Sequence, residues 1–150
     1  MPEDALAELD ELAVANSIAL HLRVDALFRL KDWSAAAAIC LPMTEEEPSD
    51  PGWWIQAAYA QRRASSIEEA EMVLLAALTR HPANGLVLYN LACYACVLDR
   101  LDEARNYFHR AAATNPEQML TMGARDPDLA GIRPWLLDLL ADHRSRKTVS

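Results

Sequence analysis

The sequence predicts an all-α fold, built from antiparallel helix pairs stacked side by side as an α-solenoid. Three observations predict it. Ala and Leu, which lose little conformational freedom in a helix, dominate the apolar 52 % of the 150 residues, and there are only four glycines. Pro48, Pro82 and Pro116 recur at a 34-residue interval, each placed where a residue without an amide hydrogen ends one unit and starts the next. Three further columns keep the same spacing: Ala36, Ala70 and Ala104; Cys40, Leu74 and Phe108; Val24, Ala58 and Ala92.

Each column has a packing reason. Ala58 and Ala92 are expected where the first helix of a unit crosses the second, and a small side chain there lets the axes approach to about 8–10 Å. Ala70 and Ala104 are the reciprocal contacts on the second helix. Leu74 and Phe108 fill the space between units, where apolar burial supplies most of the stability.

Taken in order, the chain reads as one domain over residues 1–143. Residues 4–14 place Leu6, Leu9 and Ala13 at helical spacing, which predicts an N-terminal capping helix. Units follow at 17–50, 51–84 and 85–118. Within the first, Pro42 is expected to cut the second helix short, leaving an acidic connection from Thr44 to Asp50 that includes the solvated run Glu45 to Glu47. Residues 119–142 supply C-terminal capping helices. Gly123 stops a short one, and Asp126-Pro127 then gives an N-cap followed by proline at the first helical position. The next helix should bury Leu129, Ile132, Trp135, Leu136 and Leu139. Residues 144–150 read as a flexible tail.

The columns resemble the tetratricopeptide repeat (TPR) family, whose 34-residue unit carries an aromatic, Leu-Gly, Tyr, Ala, Phe, Ala and Pro at fixed offsets. The third unit carries Leu88, Leu91-Ala92, Ala104, Phe108, Ala111 and Pro116. The second has Trp54, Ala57-Ala58, Ala70, Leu74, Ala77 and Pro82, and the first has Leu20, Val24, Leu27, Ala36, Cys40 and Pro48. The resemblance covers residues 17–116. Two departures fall in the first unit, where Val24 replaces the usual glycine and Arg23 stands where the family prefers Leu.

The resemblance implies a right-handed superhelix whose concave side, lined by the first helix of each unit, binds peptides. Carried over by repeat offset, that side takes His21, Asp25, Phe28 and Arg29 from the first unit. It takes Ile55, Tyr59, Arg62 and Arg63 from the second, and Leu86, Tyr89, Asn90, Cys93 and Cys96 from the third. Arginines beside aromatic faces suit a peptide that brings an apolar residue and an acidic group. One subtype of the family grips a chaperone's C-terminal carboxylate with lysine and asparagine. The matching places here hold His21, Asp25 and Asn90 with no lysine, which disfavours that ligand.

Composition narrows the alternatives. A net charge of −8 with scattered arginines disfavours nucleic acid as a partner, because phosphate binding needs a concentrated positive face. No stretch of about 18 uncharged apolar residues exists to cross a membrane. The first residues are acidic where a signal peptide is basic, and three cysteines suit reduced thiols, so a cytoplasmic setting is expected.

No catalytic constellation stands out. Cys93-x-x-Cys96 lies in mid-helix, whereas redox motifs place the first thiol at a helix N-terminus, and it lacks the further ligands a structural zinc ion needs. His21, Asp25 and Arg29 form a four-residue ladder on one helix face, without a nucleophile or an oxyanion donor beside it. His81, His109 and His143 have no metal partner at fixed spacing. The expectation is therefore no enzyme, no cofactor and no metal, but an adaptor that holds a segment of another protein. Three other readings stay open: a secretion-type chaperone for a client protein; a self-associating structural subunit, a homodimer with Trp53 or Trp135 at its seam; and a thiol enzyme, which would need Cys93 or Cys96 to ionise more readily than a free thiol.

Overall fold

The computed structural model describes residues 2–149, apart from the side chains of Pro2, Glu3, Leu6, Asp10 and Val149. Leu6, read above as part of an apolar face, thus has its side chain outside the described residues. The described residues form helices and no strand. In chain order these are α1 (Pro2–Arg29), α2 (Trp33–Glu46), α3 (Pro51–Ala64), α4 (Ile67–Arg80), α5 (Gly85–Val97), α6 (Leu101–Ala112), α7 (Pro116–Arg125), a 3-10 helix (Pro127–Ile132) and α8 (Arg133–Val149). Helices α2, α4 and α6 begin one repeat period apart, at Trp33, Ile67 and Leu101, and so do α3 and α5, at Pro51 and Gly85. Each helix packs on the next in sequence, and α3 also touches α5.

Short polar residues set the starts. The carboxylate of Asp50 accepts from the Gly52 amide at 2.9 Å, Ser66 from Glu69 at 3.1 Å, and Asn84 from both Leu86 and Val87. Each satisfies amides that the first turn leaves without a helical partner. The turns after α1 and α5 contain Lys31 (φ 58°) and Asp99 (φ 61°), left-handed residues two repeat periods apart.

The repeat columns are the core. Val24, Ala36, Cys40, Ala58, Ala70, Leu74, Ala92, Ala104 and Phe108 are all fully buried. One apolar cluster joins Val24, Cys40, Met43, Trp53 and Ala57 between α1, α2 and α3. A larger one runs from Ala58 through α4, α5 and α6 to Leu129, Ile132 and Leu136. Trp135 and Leu139, expected as buried, pack at its edge and are half-buried.

Three expectations need correction. The N-terminal capping helix is not separate: α1 is one helix of 28 residues, and the described side chains from Asp4 to Asn16 are exposed. No glycine or proline lies between Pro2 and Pro42, so nothing marks a break before the turn at Lys31. Pro42 does not shorten α2, which keeps the same 14 residues as α4. Both Pro42 and Ala38, whose carbonyl loses its helical donor, are exposed, so the lost bond falls on the solvent side of the helix and not in the core. The acidic connection is accordingly shorter, with Glu45 and Glu46 in the helix. Glu47 is tied inward, accepting from Trp53 Nε1 at 2.9 Å and from Ser17 Oγ at 3.2 Å. Finally, residues 144–149 are helical, with Glu117 on α7 facing His143, Arg144 and Lys147.

Candidate functional site

Of the thirteen residues assigned to one face, seven fall into two groups and the other six belong to neither. In the third unit, Tyr89, Cys93 and Cys96 are buried, between 3 % and 7 % exposed, and cannot meet a partner as expected. The chain's own segment Asp126–Ile132 covers them. The Tyr89 hydroxyl donates to Asp126 Oδ2 at 2.7 Å, and the Cys93 thiol points at the same oxygen at 3.7 Å. Arg62, from the second unit, reaches over to Asp128 with two hydrogen bonds of 2.6 and 3.0 Å. Its guanidinium also lies 5.5 Å from the centre of the Tyr94 ring. Arg133 closes the turn by donating to the carbonyls of Ala124 and Asp126.

Electrostatics follow this geometry. Burial, then the hydrogen bond to Asp126, raises the Tyr89 phenol above its ordinary range. Burial, then the charges of Asp126 and Asp128, likewise raises the Cys93 thiol. The hydrogen bonds to Asp128 hold Arg62 more firmly charged, and burial pushes Tyr94 up to about 12. One ligand atom each from Cys93, Asp126 and Asp128 lies within 4.8 Å of the others, a spacing that a metal ion could bridge. Those atoms already have partners, however. Arg62 occupies Asp128, Tyr89 occupies Asp126, and a thiol must lose its proton before it can ligate. The arrangement is a clasp that ties the 3-10 helix to α3 and α5.

The second group lies at the junction of the first two units and is open at Tyr59 and Arg63, with Phe28 and Trp33 half-buried behind them. Phe28 and Tyr59 stack with ring centres 5.2 Å apart. Trp33, at the start of α2, meets both edge-on at 5.4 and 5.7 Å. The Arg63 guanidinium lies 3.6 Å from the centre of the Tyr59 ring and 5.2 Å from that of Trp33, and it donates to the Tyr59 carbonyl. Tyr59 is 41 % exposed. No family model matches the chain, and no curated protein matches it. The cluster brings three aromatic rings and one cation together at the surface, with Tyr59 and Arg63 exposed.

The remaining candidates scatter. His21 stacks on Trp53 at 3.8 Å and sits 3.5 Å from Asp50, so it belongs to the α1–α3 contact, not to a ladder with Asp25 and Arg29. Asp25 and Arg29 are exposed, and Ile55 is half-buried against the larger core. Asn90 donates to the Leu86 carbonyl of its own helix, while Leu86 is exposed. Of the histidines read as solvated or unpartnered, His81 contacts the Pro48 carbonyl at 2.9 Å and bridges two units. His143 lies beside Glu117. Trp53 is fully buried and so lies inside the core, while Trp135 is half-buried and packs edge-on against Phe108. Trp33 was missing from the expected site. Its signal was an aromatic shortly after Phe28, on the far side of the turn.

Proposed function

We propose that this protein is a TPR-type binding module that holds a segment of another polypeptide on the open surface formed by α1 and α3. The observation that carries the reading is the open cluster of Phe28, Trp33 and Tyr59 capped by Arg63. Tyr, Trp and Arg are the residues that dominate protein–protein binding energy. Here they are already held against one another, so less side-chain freedom is lost on contact. Arg63 has no carboxylate within ion-pairing distance among the described residues. It is therefore free to pair with an acidic group of the guest, while the rings take an adjacent apolar side chain. The covering of Tyr89, Cys93 and Cys96 confines this surface to the first two units and shortens the guest it fits. An affinity in the micromolar range suits that small contact.

The test is selection from a random peptide library displayed on phage, against the wild-type protein and a Tyr59→Ala, Arg63→Glu double variant. The expected result is enrichment of peptides that pair an acidic with an apolar residue, lost on the double variant. Arg62 is unsuitable for this purpose because it serves the clasp. Enrichment that survives the double variant, or none at all, would refute the assignment.

A further inference from the structure

A cleft of about 250 Å³ opens where the C-terminal end of α6 and the N-terminal end of α7 meet α8. Its floor is apolar, made by Ala112, Pro116, Leu120 and Leu139. Two small side chains, Ala112 and Ala113, line it where larger ones would fill the space. The volume equals that of about eight water molecules. It falls below the roughly 300–1,000 Å³ that houses a drug-sized ligand, so a matching guest is small.

The remaining walls are cationic. His109, in the last turn of α6, and Arg146, in the last turn of α8, line the same cleft, and no acid does. Neither has an ion-pair partner among the described residues. Basic residues near a helix C-terminus are favoured by the helix dipole, so their charge alone says little. Here, however, the two share one concave wall with four apolar side chains. The neighbouring acids leave them unengaged. Glu117, beside Pro116, faces His143, Arg144 and Lys147, and Asp142, one turn before Arg146, forms no ion pair with it. We infer that the cleft binds a small free carboxylate with an apolar body, in the manner of a medium-chain fatty acid. The body lies against Leu120 and Leu139, where its burial drives binding. The carboxylate pairs with Arg146, and the His109 imidazole, a donor whether charged or neutral, supplies a second hydrogen bond. An apolar alcohol would leave Arg146 unused, a cationic amphiphile would be repelled, and inorganic phosphate would bring charge without a body for the floor. The cleft shares no residue with the surface of α1 and α3, so this inference and the peptide-binding reading stand or fall separately.

The test is a titration of the isotope-labelled full chain with sodium octanoate, followed through its amide resonances. Saturable shifts should centre on Ala112, Leu120 and Leu139, with Phe28 and Tyr59 unmoved. Each buried methylene tightens binding about fourfold, so hexanoate should bind roughly fifteen times more weakly than octanoate. Octanol, which has the same tail without the charge, should be weaker by about tenfold or more. Arg146→Glu changes an exposed side chain outside the core clusters, so the fold should persist. That variant should lose about tenfold in octanoate affinity and none in octanol affinity, a split that a general loosening of α8 would not produce. Ala113→Trp, which fills the cleft, should block both. No saturable shift, equal affinity for octanoate and octanol, or octanoate binding that survives Arg146→Glu or Ala113→Trp would overturn the inference. So would shifts centred away from the cleft, or a peptide ending in leucine that binds there when octanoate does not.

Discussion

Removing either end of the Arg62–Asp128 bridge should loosen the C-terminal segment, and the size of the effect can be worked out from the geometry. The two charge-assisted hydrogen bonds, of 2.6 and 3.0 Å, join side chains that are 24 % and 31 % exposed. A hydrogen bond to a charged group contributes about 1.5–3 kcal/mol when well shielded, and an exposed ion pair under about 1 kcal/mol. Partial exposure puts this pair between those limits, at a coupling of about 1–2 kcal/mol. The assay is urea unfolding of the wild type, Arg62→Ala, Asp128→Ala and the double variant, compared as a cycle so that only the pairwise energy remains. With a slope of about 2 kcal/mol per molar urea, that coupling corresponds to roughly 0.5–1 M in midpoint. The bridge between Arg105 and Asp102 is an internal control: Asp102 is 99 % exposed, so its cycle should show no measurable coupling. An Arg62–Asp128 coupling below about 0.5 kcal/mol, a value typical of exposed pairs, would refute the reasoning. The pair would then be ordinary surface electrostatics, and the segment would be held by the burial of Leu129 and Ile132 and by the Tyr89–Asp126 hydrogen bond.

Two other outcomes are expected. Gly123 is buried on α7, where an added Cβ would sit 2.6 Å from Phe108 Cε2 and 2.8 Å from its Cζ. Gly123→Ala gains about 1 kcal/mol of helix propensity but overpacks a rigid ring at a cost of about 1–3 kcal/mol, so calorimetry should find a lower Tm. Stability should also fall in alkali. Burial pushes the Cys40 thiol from its ordinary value near 9 up to about 12, and Cys93 moves the same way. The unfolded chain therefore gives up these protons at a lower pH than the folded one. The stabilisation is complete below about pH 9 and is lost as pH rises toward 12. Urea midpoints measured across that window should decline more steeply for the wild type than for Cys40→Ala.

Much of the helical framework was legible because it is local or periodic. The columns of Ala58 with Ala92, Ala70 with Ala104, and Leu74 with Phe108 mark buried positions, since a repeated contact selects the same side-chain size each time. Asp126 was readable as an N-cap because the cap lies within a turn of what it caps. Carrying the offset into the third unit failed at Tyr89, Cys93 and Cys96. A repeat period describes each helix pair and its neighbours, not a later segment that folds back over them. Arg62 and Asp128 lie far apart in the chain, and no spacing rule links them. The separation of the N-terminal helix from the first unit rested on the period alone. The chain between Leu12 and Leu22 lacks the glycine or proline that would have marked a break, and the helix runs on.

The clasp also bears on what else can reach α5. A helix laid on α5 from that side would have to displace Asp126–Ile132, whose Leu129 and Ile132 are sunk into the core beneath it. That side of α5 is thus closed by the chain itself, in a strap fastened by Arg62 from the middle of the sequence.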